Sequence, residues 1–179
     1  LGVLKSFFNW GVNKKRFPHN PVQSLDRLNE SLDRRYIRRA LTPEEFSALV
    51  EATRTGPSFH GLSGPDRAVL YLVSGFTGLR RGDLKRLKAR DFDLERPEPI
   101  LILGARQKGR EPSELPLRAD VATFLRRWLT GRDPEALLFP GTWWDASADM
   151  VRQDCRRAGV DSENPSGVID LHAIRHSFG

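Results

Sequence analysis

Thr77-Gly78-Leu79-Arg80-Arg81-Gly82-Asp83-Leu84 is the stretch on which the reading of this chain turns. Read as the start of a helix, Arg80, Leu84 and Leu87 fall at i, i+4 and i+7 on one face, while Arg81, Lys85 and Lys88 share another. That pattern points Arg80 inward. A guanidinium on an apolar face is costly unless an anion meets it. Asp83, one turn away, is one candidate and a phosphate is the other; this stretch alone leaves the two open.

The surroundings favour an anionic partner without naming it. The chain has 179 residues, enough for one full domain plus a fragment, and 39% hydrophobic with 29% charged residues describes a soluble globular protein. Its 29 basic and 23 acidic side chains give a net charge of +6 and a pI near 10.0, which places nucleic acid first and an anionic membrane second among partners. A single cysteine, Cys155, excludes an intrachain disulfide and a cysteine zinc site, and suggests a reducing compartment. No apolar run of about 18 residues and no cleavable leader occurs, so a cytoplasmic protein with no membrane partner is expected. The chain begins at Leu1 and stops at Gly179 inside a promising segment, so it is expected to be a piece of something longer.

Working outward, residues 1–10 carry Leu4, Phe7, Phe8 and Trp10 at helical spacing, with Asn20-Pro21 as a stop and turn. This reads as the last helix of a preceding helical domain. Residues 21–40 lack apolar periodicity and contain Arg34, Arg35, Arg38 and Arg39, the pattern of a linker: either a solvated connector or a strap on a DNA backbone. Thr42-Pro43-Glu44-Glu45 is a capping box with proline at the first helical position. A helix with Phe46, Leu49 and Val50 inside follows, then a loop over 56–65 and a second helix opening at Asp66 and stopping near Gly78.

Ile100–Leu103 and Glu114–Leu117 read as two extended pieces joined by Gly104-Ala105-Arg106-Gln107-Lys108-Gly109-Arg110, a small antiparallel sheet with Lys108 near its turn. Helices are expected again over 120–129 and 145–158, ended by Gly131 and Gly159, with Trp143 and Trp144 packing or, if exposed, serving an interface. In Leu171-His172-Ala173-Ile174-Arg175-His176-Ser177-Phe178-Gly179, one stripe is apolar and the neighbouring one holds His172, Arg175 and His176.

His172 and His176 have the spacing of a metal-binding helix. Ala173 stands where a metalloprotease would carry its glutamate, and Arg175 between the histidines disfavours a cation. Two core histidines are a further option. The third takes Arg80, Lys108, His172 and Arg175 together as a phosphate cage. Two arginine forks neutralise non-bridging phosphate oxygens bidentately without metal or cofactor, lysine protonates a leaving oxygen, and histidine serves as acid, base or donor.

These motifs together resemble the tyrosine recombinase (phage integrase) family. The stretch at 77–84 resembles its first box, with Arg80 at the first catalytic arginine and Asp83 at a supporting acidic residue. Residues 107–117 resemble the β-hairpin carrying the catalytic lysine, here Lys108, lengthened by Glu111-Pro112-Ser113. His172-Ala173-Ile174-Arg175-His176-Ser177-Phe178 resembles the second box, with isoleucine for leucine; His172 and Arg175 match its catalytic pair, and His176 is a supporting neighbour.

The resemblance implies a mainly α fold with a small antiparallel β-sheet (α+β). It divides the chain into the end of a core-binding domain (1–29), a basic linker (30–41) and a catalytic domain (42–179). It also implies double-stranded DNA as partner, a homo-tetramer on two duplexes, and metal-free strand cleavage and rejoining through a 3′-phosphotyrosine. The alternative is a catalytically inactive DNA-binding protein of the same fold. The family's nucleophilic tyrosine lies beyond the second box, and the tyrosines here, Tyr36 and Tyr71, both precede it. Both are assigned to packing or surface roles, so the chain as given is expected to hold the scissile phosphate without cleaving it.

Overall fold

A computed structural model describes residues 1–26, 37–104 and 112–177. The chain falls into two compact units, Leu1–Arg35 and Tyr36–Gly179. In the first, helix α1 (Gly2–Asn13) runs three residues past the expected apolar segment. The Asn20 amide fastens the turn before Pro21 by donating to the Asn9 carboxamide oxygen (2.7 Å) and the Lys5 carbonyl (3.3 Å).

The second unit is mainly helical, as expected, with a small antiparallel sheet. The Thr42 capping box forms: its hydroxyl accepts from Glu45 N–H, Glu45 accepts from Thr42 N–H, and α2 (Pro43–Arg54) follows. Helix α3 (Gly64–Thr77) starts two residues earlier than expected because Ser63 is its cap, accepting from Asp66 N–H. It ends at Gly78, whose φ of 62° is a left-handed conformation that glycine adopts at little cost. Helix α4 (Arg81–Leu84) is only four residues long.

Three strands form one antiparallel sheet in the order β1 (Phe92–Asp93), β2 (Ile100–Leu103), β3 (Ser113–Pro116). The pairing of β2 with β3 was legible in the sequence, and β1 was not. A two-residue strand offers no alternation to read. Helix α5 (Ala119–Leu129) follows, then a 3₁₀ turn at Trp143–Ala146, helix α6 (Ser147–Ala158), a hairpin of β4 (Glu163–Asn164) and β5 (Gly167–Val168), and α7 (Leu171–His176). No described helix is long and apolar enough to cross a membrane.

Helix α3 packs on α2 and on α7, and α2 packs on α6. Leu49, Leu70, Leu84, Leu87, Leu125 and Phe139 belong to the buried core. Full burial of each such side chain contributes about 1.5–3 kcal/mol. Trp143 is fully buried with its indole N–H on the Phe139 carbonyl (3.0 Å), in keeping with the packing expected of it. Cys155 is buried too, and desolvation pushes its thiol up to about 12, so it is a packing residue.

An ion pair runs through this core. Arg67 on α3 and Asp154 on α6 are each 2% exposed. The guanidinium donates to both carboxylate oxygens (2.6 and 3.0 Å) and to the Pro57 carbonyl (3.0 Å). Tyr71, 0% exposed, adds its hydroxyl to Asp154 (2.7 Å), and burial followed by the Asp154 charge raises its ionisation well above the ordinary phenol range. Tyr71 is therefore a packing and pairing residue, as read from the sequence, and Tyr36 lies outside the described residues.

Removing one partner strands the other charge in the core. Asp154→Ala is expected to cost about 3–5 kcal/mol in urea unfolding. Tyr71→Phe, which deletes one bond to a charged acceptor, is expected to cost about 1–3 kcal/mol.

Candidate phosphate-binding site

Chain segments far apart in sequence meet at one cleft of about 640 Å³. Its first wall is the turn after α3 with the start of α4, carrying Arg80 and Arg81; its second is α7 with the residues before it, carrying Asp170, His172 and Arg175; Arg38 reaches it from residues 37–41. Four guanidinium groups and one carboxylate therefore face one opening, and the field there favours an anion.

Arg80 does not occupy the position expected from helical periodicity. The turn is too short for an i to i+7 face: Arg80 is the residue before α4, extended (φ −75°, ψ 152°) and exposed, while Leu84 and Leu87 are buried. Its carbonyl accepts from Asp83 N–H (2.8 Å) and Leu84 N–H (3.0 Å), which fixes the backbone and leaves the side chain toward the cleft. Pairing of Arg80 with Asp83 is not what forms either. The Asp83 carboxylate lies 3.7 Å from Arg86, its ion-pair partner. Among the described residues, the side chains of Arg80 and Arg175 have no hydrogen-bond or ion-pair partner. Arg81 is held, donating to the Trp144 carbonyl (3.0 Å) and the Ser147 hydroxyl (3.2 Å).

Helix α7 positions the other half. Asp170 caps it, accepting from Ala173 N–H (2.8 Å). Leu171, Ala173 and Ile174 are buried, which turns His172 and His176 outward and leaves Arg175 half-buried. The two imidazoles meet with Nε2 atoms 3.0 Å apart, one donating and the other accepting, in edge-to-face contact. Burial lowers the pKa of His172, the His176 and Arg38 charges lower it further, and Asp170 opposes them. The core-histidine option is thus not realised. No group of three or more histidine, cysteine, aspartate or glutamate side chains placed to hold a metal ion occurs among the described residues.

The cleft brings together Arg80, His172 and Arg175. Asp83, paired with Arg86, does not line the cleft, and His176 lies beside His172. Lys108 lies outside the described residues. Sequence reasoning named Arg38 only as part of a basic linker or DNA strap and Ser177 only within the second box, and it did not single out Asp170. The Ser177 hydroxyl accepts from Leu41 N–H (3.0 Å) and donates to the Ala173 carbonyl (3.0 Å), tying the end of α7 to the residues before α2. A signal existed for Asp170, an aspartate at capping distance before a helix.

Comparison with known proteins follows the same lines. The chain is 26% identical over 183 residues to the tyrosine recombinase XerC of Escherichia coli, covering 99% of this chain and 57% of that protein, and equally so to XerC of Salmonella typhi. The chain thus spans 57% of the length of these curated relatives. Among solved structures, it is similar to the Tn1549 transposon integrase in complex with transposon right-end DNA, with a TM-score of 0.63, 19% identity, and coverage of 97% of this chain and 62% of that one. The XerA recombinase gives a TM-score of 0.53 and 18% identity, with coverage of 98% and 58%. These two likenesses speak for the fold. With residues 39–179 matching the family as a whole, both boxes included, the chain belongs to the phage integrase family.

Proposed function

We propose that the protein is a site-specific DNA recombinase or integrase whose cleft binds the scissile phosphate of double-stranded DNA. The observation that carries this reading is the convergence of Arg80 and Arg175, both without a partner among the described residues, on one cation-lined cleft beside His172. A guanidinium held open in this way has its forks ready for non-bridging oxygens. The similar XerC proteins are named tyrosine recombinases, and the Tn1549 integrase was solved on transposon DNA.

In the proposed reaction, a tyrosine hydroxyl attacks phosphorus, the bond to the 5′ oxygen breaks, and a 3′-phosphotyrosine forms. Negative charge gathers on the two non-bridging oxygens in the transition state. Arg80 and Arg175 stabilise it there more than in the ground state, which lowers the barrier. Lys108 gives the leaving 5′ oxygen its proton, and the phenol proton passes to a base. His172, whose pKa is lowered by burial and by the His176 and Arg38 charges, is suited to donate a hydrogen bond or take up that proton. His176 orients it through the contact between the two rings. Asp83 supports the first wall through Arg86. The covalent bond conserves the energy of the linkage, so rejoining to a second duplex needs neither nucleotide nor metal.

Tyr71 is excluded as nucleophile by full burial and by its bond to Asp154. The nucleophile is assigned to sequence beyond the second box. We further propose a homo-tetramer on two duplexes, acting in the cytoplasm, with residues 42–179 as catalytic domain and the first unit as the end of a core-binding domain.

Three outcomes test this. In the full-length protein on a nicked duplex that traps the covalent intermediate, Arg80→Ala and Arg175→Ala should each slow adduct formation by about 100-fold or more; unchanged adduct formation contradicts the assignment, and a wild type that binds DNA without forming an adduct favours the inactive DNA-binding alternative. DNA affinity should fall linearly with the logarithm of salt, and Arg80→Ala should reduce that slope by about one. The His172 imidazole, followed by NMR, should titrate below the ordinary histidine range. Its folded form takes up a proton at lower pH than the unfolded form. The unfolded state therefore binds more protons in that window, and stability is lost as pH falls through it.

A further inference from the structure

Helix α7 has only six residues, too few to hold its place by its own hydrogen bonds. Residues 37–41 grip it at both ends. They run beside β5, where Val168 N–H donates to the Ile37 carbonyl (2.8 Å) and Arg39 N–H to the Val168 carbonyl (3.2 Å). Gly167 makes this approach feasible: its φ is +133°, and a Cβ there would stand 2.6 Å from the Ile37 oxygen. Leu41 N–H then meets Ser177 just past the C-terminal end of α7. At the N-terminal end, the Asp170 carboxylate is shared. Oδ1 accepts from Ala173 N–H (2.8 Å) as the helix cap, and Oδ2 accepts from Arg38 Nε (2.9 Å).

We propose that Arg38 is a positioning residue for the phosphate site: by pairing with Asp170 it fixes the first turn of α7, and with it the places of His172 and Arg175 in the cleft. The inference rests on the reading of that cleft as the scissile-phosphate site. Two physical reasons assign Arg38 this role. Asp170 is the one carboxylate among the described residues lining the cleft, and an uncompensated negative charge there would repel the incoming phosphate. Arg38 offsets that charge through Oδ2 while Oδ1 caps the helix. The pair also spans 132 positions of sequence, so it fastens the catalytic helix to a different part of the unit rather than to itself. The groups facing His172 are His176 and Arg175 on α7, Asp170 at its cap, Arg38 from residues 37–41, and Arg80 and Arg81 across the cleft.

The test uses the full-length protein on a nicked duplex carrying its recombination site. Asp170→Ser keeps a capping oxygen but removes the carboxylate that Arg38 needs. Arg38→Ala and Asp170→Ser should each slow covalent adduct formation by about 10- to 100-fold, the scale of a catalytic group displaced by about 1 Å. Affinity for the same duplex should stay within about threefold. The double variant should be no slower than the slower single one, and Arg38→Lys should recover part of the rate as a point charge. An unchanged rate for Arg38→Ala, additive losses in the double variant, or a loss carried by affinity with the salt slope reduced by about one overturns the proposal, the last by making Arg38 a phosphate ligand. If the wild type forms no adduct, the functional reading fails by itself. The pair is then judged by the His172 titration: Arg38→Ala should raise its midpoint by removing a nearby positive charge, and an unmoved midpoint overturns the role.

Discussion

Several guanidinium groups around one opening repel each other, and the distance between them is kept only if each is mounted on something that does not yield. The second unit meets this constraint from behind. Arg67, Asp154 and Tyr71 join α3 to α6 in the core, and α7 packs on α3. Gly78 ends α3 in a left-handed turn, so the next residues leave the helix and Arg80 comes out extended at the cleft. Repulsion between cations is thus held in the structure as a standing demand for an anion.

The two kinds of ion pair in the molecule do different work. Arg67–Asp154 is out of water, so loss of either partner is expensive although the intact pair adds little net stability over an apolar replacement. Pairs such as Arg54–Glu51 and Arg118–Asp120 lie on the surface, where screening and side-chain entropy leave them near neutral in energy. Arg38–Asp170 lies between these cases. Arg38 is about half exposed while Asp170 is largely covered, so the pair contributes geometry at the cleft more than stability.

What the sequence made legible was local. The Thr42 box, the glycine ends of α3 and α6, the pairing of β2 with β3, and the two motifs that bring Arg80, His172 and Arg175 to one cleft all lie within short windows. The inward Arg80 was misread because periodicity presumes a helix long enough to have a face, and α4 has four residues. Asp83 stood in the sequence as one of two open partners for Arg80, and it is Arg86 that lies beside it. The ties that place α7, from Arg38 to Asp170 and from Leu41 to Ser177, join residues more than a hundred positions apart, and no local pattern announces them. Asp154 had a readable signal, an acid between Val151 and Cys155 on an apolar helix face, which demands a buried cation.

The central claim is that the cleft is built around a single tetrahedral oxyanion. Crystals of this chain soaked with tungstate, a phosphate analogue located without ambiguity by its anomalous scattering, address it directly. The account predicts one strong peak between Arg80 and Arg175 and within hydrogen-bonding reach of His172, lost on Arg175→Ala. A well-diffracting soak with the cleft empty, or with the anion held elsewhere and both arginines turned away, would contradict it.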